Sequence, residues 1–145
     1  MSSYRQHLYH IVFRTKHSMP TIKQDHVNEL YAYITGIVKN KNGHLYRING
    51  VENHIHVLTD MHPSIAPADF MREIKASSSL WMKNSMLFPS FIGWEEGYGS
   101  FTCSYKEGTM CQTPGWRRGL FIFGSFRANK FLNLILKSSY FNYIV

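Results

Sequence analysis

Two histidines separated by one apolar residue, His54 and His56, lie in the stretch GVENHIHVLTD at residues 50–60. Neutral imidazole binds Mn²⁺, Zn²⁺ and similar ions, and it is accepted by Mg²⁺ when oxygen ligands supply the other positions. Residues i and i+2 of a strand point to the same face, roughly 6.5 to 7 Å apart, so two imidazoles at this spacing can bind one ion. The pair is therefore a candidate site for a divalent metal ion, although the spacing alone is a weak signal. The alternative is two ordinary histidines on an exposed face of a sheet.

The apolar pattern around this pair predicts the elements that position it. Alternation predicts strands, and helical spacing predicts helices, over the following residues: strands at about 6–15, 44–49, 53–59 and 98–103, and helices at about 24–40 and from Pro67 onward. This order is that of an α+β, ferredoxin-like βαββαβ fold, with a four-stranded antiparallel sheet and both helices on one face. We expect a turn at Gly50, with His54 and His56 on a central strand facing an open cleft. Alternation also places Glu52 on that face.

Composition and charge favour a nucleic acid as the partner. The chain has 145 residues, of which 44% are hydrophobic, and this is enough for one compact domain. Sixteen Lys and Arg against nine Asp and Glu give a net charge of +7, which attracts polyanions. No apolar run approaches the roughly 18 residues of a membrane span, and the start MSSYRQHLYH lacks the apolar core of a signal peptide. We therefore expect a cytoplasmic protein without a membrane partner.

Charge and aromatic content change abruptly along the chain. Residues 1–107 hold eleven basic and all nine acidic side chains, whereas residues 108–145 hold five basic side chains and no acidic ones. The second segment is also crowded with aromatic residues, as in GLFIFGSF, and has no clear helical period. We expect residues 1–107 to form the domain and residues 108–145 to form a divergent tail that is not a separate domain.

Four segments carry a resemblance to a known family over about residues 1–105. They are YHIVFRTKHSMPTI, HLYRINGVENHIHVL, FMREIKASSSLWM and WEEGYGSFTCS. In order and spacing they resemble the single-tyrosine HUH transposases of the smallest bacterial insertion sequences, the insertion-sequence two-hundred-like transposases. HUH denotes two histidines around a hydrophobic residue, here His54, Ile55 and His56.

The resemblance implies a reaction and roles for these residues. In the family a tyrosine hydroxyl attacks a phosphate of single-stranded DNA, forms a 5′-phosphotyrosine link and frees a 3′-hydroxyl. A divalent ion held by the two histidines stabilises the charge that builds on the phosphate, so the resemblance assigns metal-binding and catalytic roles to His54 and His56. It further implies a homodimer and a single-stranded DNA partner with hairpin ends. The candidate DNA contacts are Arg14, Lys16, Lys39, Lys41 and Arg47.

The sequence departs from the family where the nucleophile should lie. The family places its tyrosine on a late helix, four residues before a glutamine. Here no tyrosine lies between Gly108 and Ser139, and no tyrosine of the chain precedes a glutamine by four residues. Tyr105 is nearest to the expected place, and it is a weak candidate because it ends the last strand. With the loss of acidic residues, this favours a coding-frame change near residue 107 in an ancestral transposase gene, and a divergent relative is the alternative.

Other interpretations of the sequence remain open. The chain could be a module that binds DNA or RNA hairpins without any chemistry. It could also be a small phosphoesterase that uses histidines directly, although a histidine-triad hydrolase would have a third histidine where Leu58 stands. The serines Ser77 to Ser79 offer a small, polar helix surface for a phosphate or a backbone, and helix packing explains them equally well.

Overall fold

The computed structural model describes residues 7–103, whose helices and strands follow the predicted order. They are β1 (Leu8–Arg14), α1 (Val27–Asn40), β2 (Leu45–Val51), β3 (His54–Thr59), α2 (Pro67–Asn84) and β4 (Gly99–Cys103). The sheet order is β2-β3-β1-β4, so β3 and β1 are central. The prediction of an α+β, ferredoxin-like fold is confirmed. The predictions for residues 104–145, including Tyr105, lie outside the described residues.

Both helices cover one face of the sheet because their apolar residues recur at helical spacing. The buried side chains of α1 are Leu30, Ile34, Ile37 and Val38, and those of α2 include Phe70, Met71 and Ile74. Pro67 opens α2, where its missing N–H costs no helical hydrogen bond. The helix predicted at about residues 24–40 begins later, because Gln24–His26 form a short 3₁₀ turn directly before α1.

The register between the central strands decides which side chains enter the core. β1 and β3 run antiparallel, with Ile11 opposite Val57 and Phe13 opposite Ile55. All four side chains are fully buried and belong to one apolar cluster with the helices. Successive strand residues point to opposite faces, so the residues between these four face away from the helices.

The turn between β2 and β3 lies at Glu52 and Asn53, so the predicted turn at Gly50 is wrong. Gly50 instead lies within β2, opposite Ile55 of β3. A Cβ atom at Gly50 would lie 2.5 Å from the carbonyl oxygen of His54. Glycine is needed here because the two backbones approach closely, which in sequence looks the same as a glycine in a turn.

Among residues 7–103 no helix is both long and apolar enough to cross a membrane.

Candidate metal centre

His54 and His56 lie on β3, in the middle of the sheet, on the face opposite the helices. Their ring centroids are 5.1 Å apart and the ring planes are inclined by 66°. Each side chain is only 3% exposed. The expected common face is therefore present, but the expected open cleft is wrong, because both histidines are buried.

The hydrogen bond of His54 determines which ring nitrogen can bind a metal ion. Its Nδ1 lies 2.7 Å from the side-chain Oδ1 of Asn53. An amide oxygen only accepts, so Nδ1 must carry the hydrogen and donate it. Nε2 then presents a lone pair, and within residues 7–103 this buried atom has no hydrogen-bond partner. Metal-binding histidines in proteins usually have this arrangement, in which one nitrogen donates to a neighbour and the other coordinates the metal.

His56 is held by a third histidine, His10 of β1. The His10 Nε2 and His56 Nδ1 atoms are 2.9 Å apart. The ring centroids are 5.2 Å apart and the ring planes are inclined by 27°, so the two rings meet edge to edge along this hydrogen bond. The β1–β3 register explains the contact, because His10 stands opposite Leu58 and is the diagonal neighbour of His56 on the same face.

Burial keeps these imidazoles neutral. It lowers the pKa of His10 and of His54 to about 4 in each case. Burial also lowers the pKa of His56 well below its usual value, and the neighbouring His54 and His10 lower it further. Because only neutral imidazole has a lone pair to offer, all three rings are in the form that binds metal ions at neutral pH.

The two imidazoles of β3 fit part of a metal site. Bonds from imidazole nitrogen to a metal are about 2.1 Å long, so rings whose centroids are 5.1 Å apart can share an ion. Within the described part of the chain, no group of three or more His, Cys, Asp or Glu side chains is arranged to hold a metal. Glu52, which alternation placed on this face, lies exposed in the turn before β3. The described residues therefore offer two metal ligands, His54 and His56, which we call the metal clamp. Any further ligands would have to come from outside residues 7–103.

The predicted DNA-binding residues fall into separate groups. Arg14 stands opposite His54, and Arg47 opposite Leu58, so both arginines lie on the histidine face. Arg14 also donates from Nη1 to the Ser18 hydroxyl, 2.9 Å away.

The three lysines of the predicted set lie outside the strands. Lys16 follows β1 in a short 3₁₀ turn, Lys16–Ser18. Lys39 and Lys41 lie at the end of α1, in the helical layer on the other side of the sheet, and Lys41 is 3.8 Å from a carboxylate oxygen of Glu73. Of the predicted set, Arg14 and Arg47 are the residues that strand pairing places on the histidine face.

Two residues of the site are absent from the predicted set, His10 and Asn53. The alternation of HLYHIVFRTK puts His10 on one face of β1, but only the pairing of β1 with β3 brings it to His56. Asn53 directly precedes His54, and its short polar side chain next to a candidate ligand was a usable signal.

Comparisons with known proteins agree with this architecture. The family model described as "Transposase IS200 like" matches residues 3–113. The crystal structure of a candidate transposase from Deinococcus radiodurans R1 is similar, with 20% identity and a TM-score of 0.63, covering 72% of this chain and 85% of that one. A REP-associated tyrosine transposase, solved bound to a REP hairpin, has 12% identity and a TM-score of 0.52, covering 73% of this chain and 64% of that one. At these identities the two structures show a shared fold. Among curated proteins none matches this sequence.

The match to the family model decides the class of protein to which this chain belongs. The family model extends over most of the chain, from residue 3 to residue 113, and it ends before most of the aromatic tail. The chain belongs to the family of IS200-like transposases.

Proposed function

We propose that this protein binds single-stranded hairpin DNA and holds a divalent metal ion, Mg²⁺ or Mn²⁺, through His54 and His56. The observation that carries the proposal is the pair of buried, neutral imidazoles on one face of β3, with Nδ1 of His54 engaged by Asn53. This arrangement directs Nε2 of His54 to a ligand. A buried nitrogen without a partner among residues 7–103 is costly in a protein that never binds anything there.

The clamp serves to orient and stabilise a phosphate. A divalent ion held by His54 and His56 would supply Lewis-acid stabilisation of the charge on the phosphate oxygens. The chain itself contributes two neutral ligands on a rigid central strand, which lose little freedom when they bind. Burial keeps water from competing for the imidazoles, because each is only 3% exposed.

Hairpin binding is supported by charge and by the family. Arg14 and Arg47 lie on the histidine face, and arginine contacts phosphate through two parallel N–H donors. The related tyrosine transposase was solved with a REP hairpin. Most of the affinity for DNA should come from such phosphate contacts, so binding should weaken as the salt concentration rises.

Strand transfer requires a nucleophile that this sequence does not present in the family's setting. The reaction forms a bond from the tyrosine oxygen to phosphorus and breaks the bond from phosphorus to the 3′-oxygen, which takes up a proton. The clamp stabilises charge and attacks nothing, so it cannot replace the tyrosine. No tyrosine here precedes a glutamine by four residues, and we propose that covalent adduct formation is lost or nearly lost.

The proposal includes a homodimer, because the family completes its active sites across two subunits. Closed two-fold pairing is also the commonest association of small proteins. Light scattering at micromolar concentration should give twice the chain mass, and a monomer at every concentration would contradict this part.

A single DNA experiment separates binding from chemistry. The full chain is incubated with a labelled single-stranded hairpin and Mn²⁺, then split between native and denaturing gels. We expect a shifted band on the native gel and no covalent band on the denaturing gel. A covalent band that disappears in Tyr105→Phe would identify Tyr105 as the nucleophile and refute the loss of activity.

Calorimetry tests the metal site independently of DNA. Titration with Mn²⁺ should show binding to the wild type and none to a His54→Ala, His56→Ala double variant. Equal titration curves would reject the clamp. Hairpin binding that persists without any metal binding would instead favour a module that binds hairpins and performs no chemistry.

A further inference from the structure

His10 is a buried histidine on β1 that the proposed function does not use. Its side chain is 1% exposed and lies on the same face as the clamp histidines. Its Nε2 is 2.9 Å from Nδ1 of His56, and the two ring planes are inclined by 27°. Polar side chains that are buried this completely are nearly always hydrogen-bonded, and the partner shown for His10 is a candidate metal ligand.

The His10–His56 hydrogen bond can run in two directions. A neutral imidazole has one N–H and one lone pair. If His10 donates from Nε2, then Nδ1 of His56 accepts, and the hydrogen of His56 must lie on Nε2. If His56 donates from Nδ1, then its Nε2 has a lone pair. Since Nδ1 of His56 is engaged by His10, coordination by His56 must use Nε2 and requires the second direction.

His54 provides the comparison within the same site. Its partner, Asn53 Oδ1, can only accept, so His54 is fixed in the tautomer with a hydrogen on Nδ1. The partner of His56 can either donate or accept. The tautomer of His54 is therefore fixed by Asn53, whereas the tautomer of His56 depends on the tautomer of His10.

We propose that His10 is a positioning residue that accepts the Nδ1–H of His56 and so holds His56 in the tautomer whose Nε2 binds the metal ion. This rests on the proposed function of His54 and His56 as a metal clamp. His10 itself then carries its hydrogen on Nδ1. Because an imidazole N–H lies in the ring plane, this hydrogen bond fixes the orientation of the His56 ring as well as its tautomer, the two properties that a neighbour of a metal ligand controls.

Two substitutions distinguish the hydrogen-bond acceptor that His10 provides from the space that its side chain fills. His10→Gln keeps an amide oxygen near the position of Nε2, whereas His10→Leu fills the space without any acceptor. Loss of such a neighbour typically weakens metal binding about 10- to 100-fold. In Mn²⁺ calorimetry we expect that loss for His10→Leu and near-normal affinity for His10→Gln.

A control on the same strand excludes a general effect of destabilisation. Leu8 is 3% exposed and lies two residues before His10 on the same face. Leu8→Val removes a buried methylene group and should lower stability without touching the histidine pair. Its Mn²⁺ affinity should equal that of the wild type. If Leu8→Val and His10→Leu weaken binding equally, the positioning role is wrong.

The tautomer can be observed directly in the unmodified protein. With ¹⁵N-labelled imidazoles and no metal ion added, His56 should already show its hydrogen on Nδ1, a signature that a purely structural role of His10 would not require. A hydrogen on Nε2 of His56 in the metal-free protein would overturn the inference even if neither His10 variant folds.

The outcomes distinguish this inference from the proposed function. If the wild type binds neither Mn²⁺ nor Zn²⁺, the clamp itself fails, and the role of His10 fails with it. If the wild type binds and His10→Leu binds equally well, the clamp stands and only the role of His10 is refuted.

Discussion

Gly50→Ala should destabilise the protein because the added methyl group meets backbone that cannot move aside. The new Cβ would lie 2.5 Å from the carbonyl oxygen of His54, 3.1 Å from Cα of Ile55 and 3.2 Å from Cγ1 of Ile55. Two of these three atoms belong to the main chain of β3, so relief requires the hairpin strands to separate. Overpacking of this kind costs about 1–3 kcal/mol. Since the contact is with His54, the same change should weaken Mn²⁺ binding.

Urea unfolding followed by circular dichroism measures this effect. Small proteins have m-values of about 1–3 kcal/mol/M in urea, so the midpoint should fall by on the order of 1 M. Gly36→Ala is the matched control, because Gly36 lies inside α1 and a Cβ there would have nothing within 4 Å. That variant should gain about 0.5–1 kcal/mol from helix propensity. A Gly50→Ala midpoint at or above that of the wild type would refute the reasoning about this close approach.

Three further substitutions test other contacts. Ser78→Ala should cost about 1–3 kcal/mol in urea unfolding, because the buried indole N–H of Trp94 donates to the Ser78 hydroxyl at 2.9 Å; a loss under 0.5 kcal/mol would contradict this. Burial raises the pKa of Tyr31 to about 12. The contribution of its neutral hydroxyl to the free energy of unfolding is therefore complete below pH 10 and is lost as the pH rises towards 12. Between pH 9 and pH 11 the free energy of unfolding should therefore fall by about 1 kcal/mol more in the wild type than in Tyr31→Phe. An equal fall in both proteins would exclude the effect. Asn53→Ala should weaken Mn²⁺ binding about 10- to 100-fold in calorimetry, and unchanged affinity would show that His54 needs no acceptor at Nδ1.

Local periodicity was sufficient to predict the fold and the face of the clamp. Side chains alternate between the two faces of β3, and Ile55 and Val57 enter the core. His54 and His56 must therefore lie on the opposite face, and this follows from adjacent residues alone. The helical spacing of α1 and the position of Pro67 likewise follow from nearby residues. These features depend on intervals of a few residues, which a single sequence displays.

Features that depend on distant pairing could not be predicted in the same way. His10 and His56 are 46 positions apart, and their contact exists only because of the β1–β3 register. The burial of the clamp was missed for the same reason, since exposure depends on which side chains meet across strands. The serine run was ambiguous, and the structure assigns Ser78 to packing against Trp94.

The two clamp histidines acquire their neighbours over very different lengths of chain. His54 is oriented by the residue directly before it, within a hairpin of the kind that forms in about 1–10 μs. His56 is oriented across 46 positions, after the chain has passed through α1 and β2 and the central strands have paired. Contacts of such separation form late, because loop closure must precede them. During refolding we therefore expect His54 to be oriented early and His56 only as the sheet closes, so the proposed metal binding would require the completed fold.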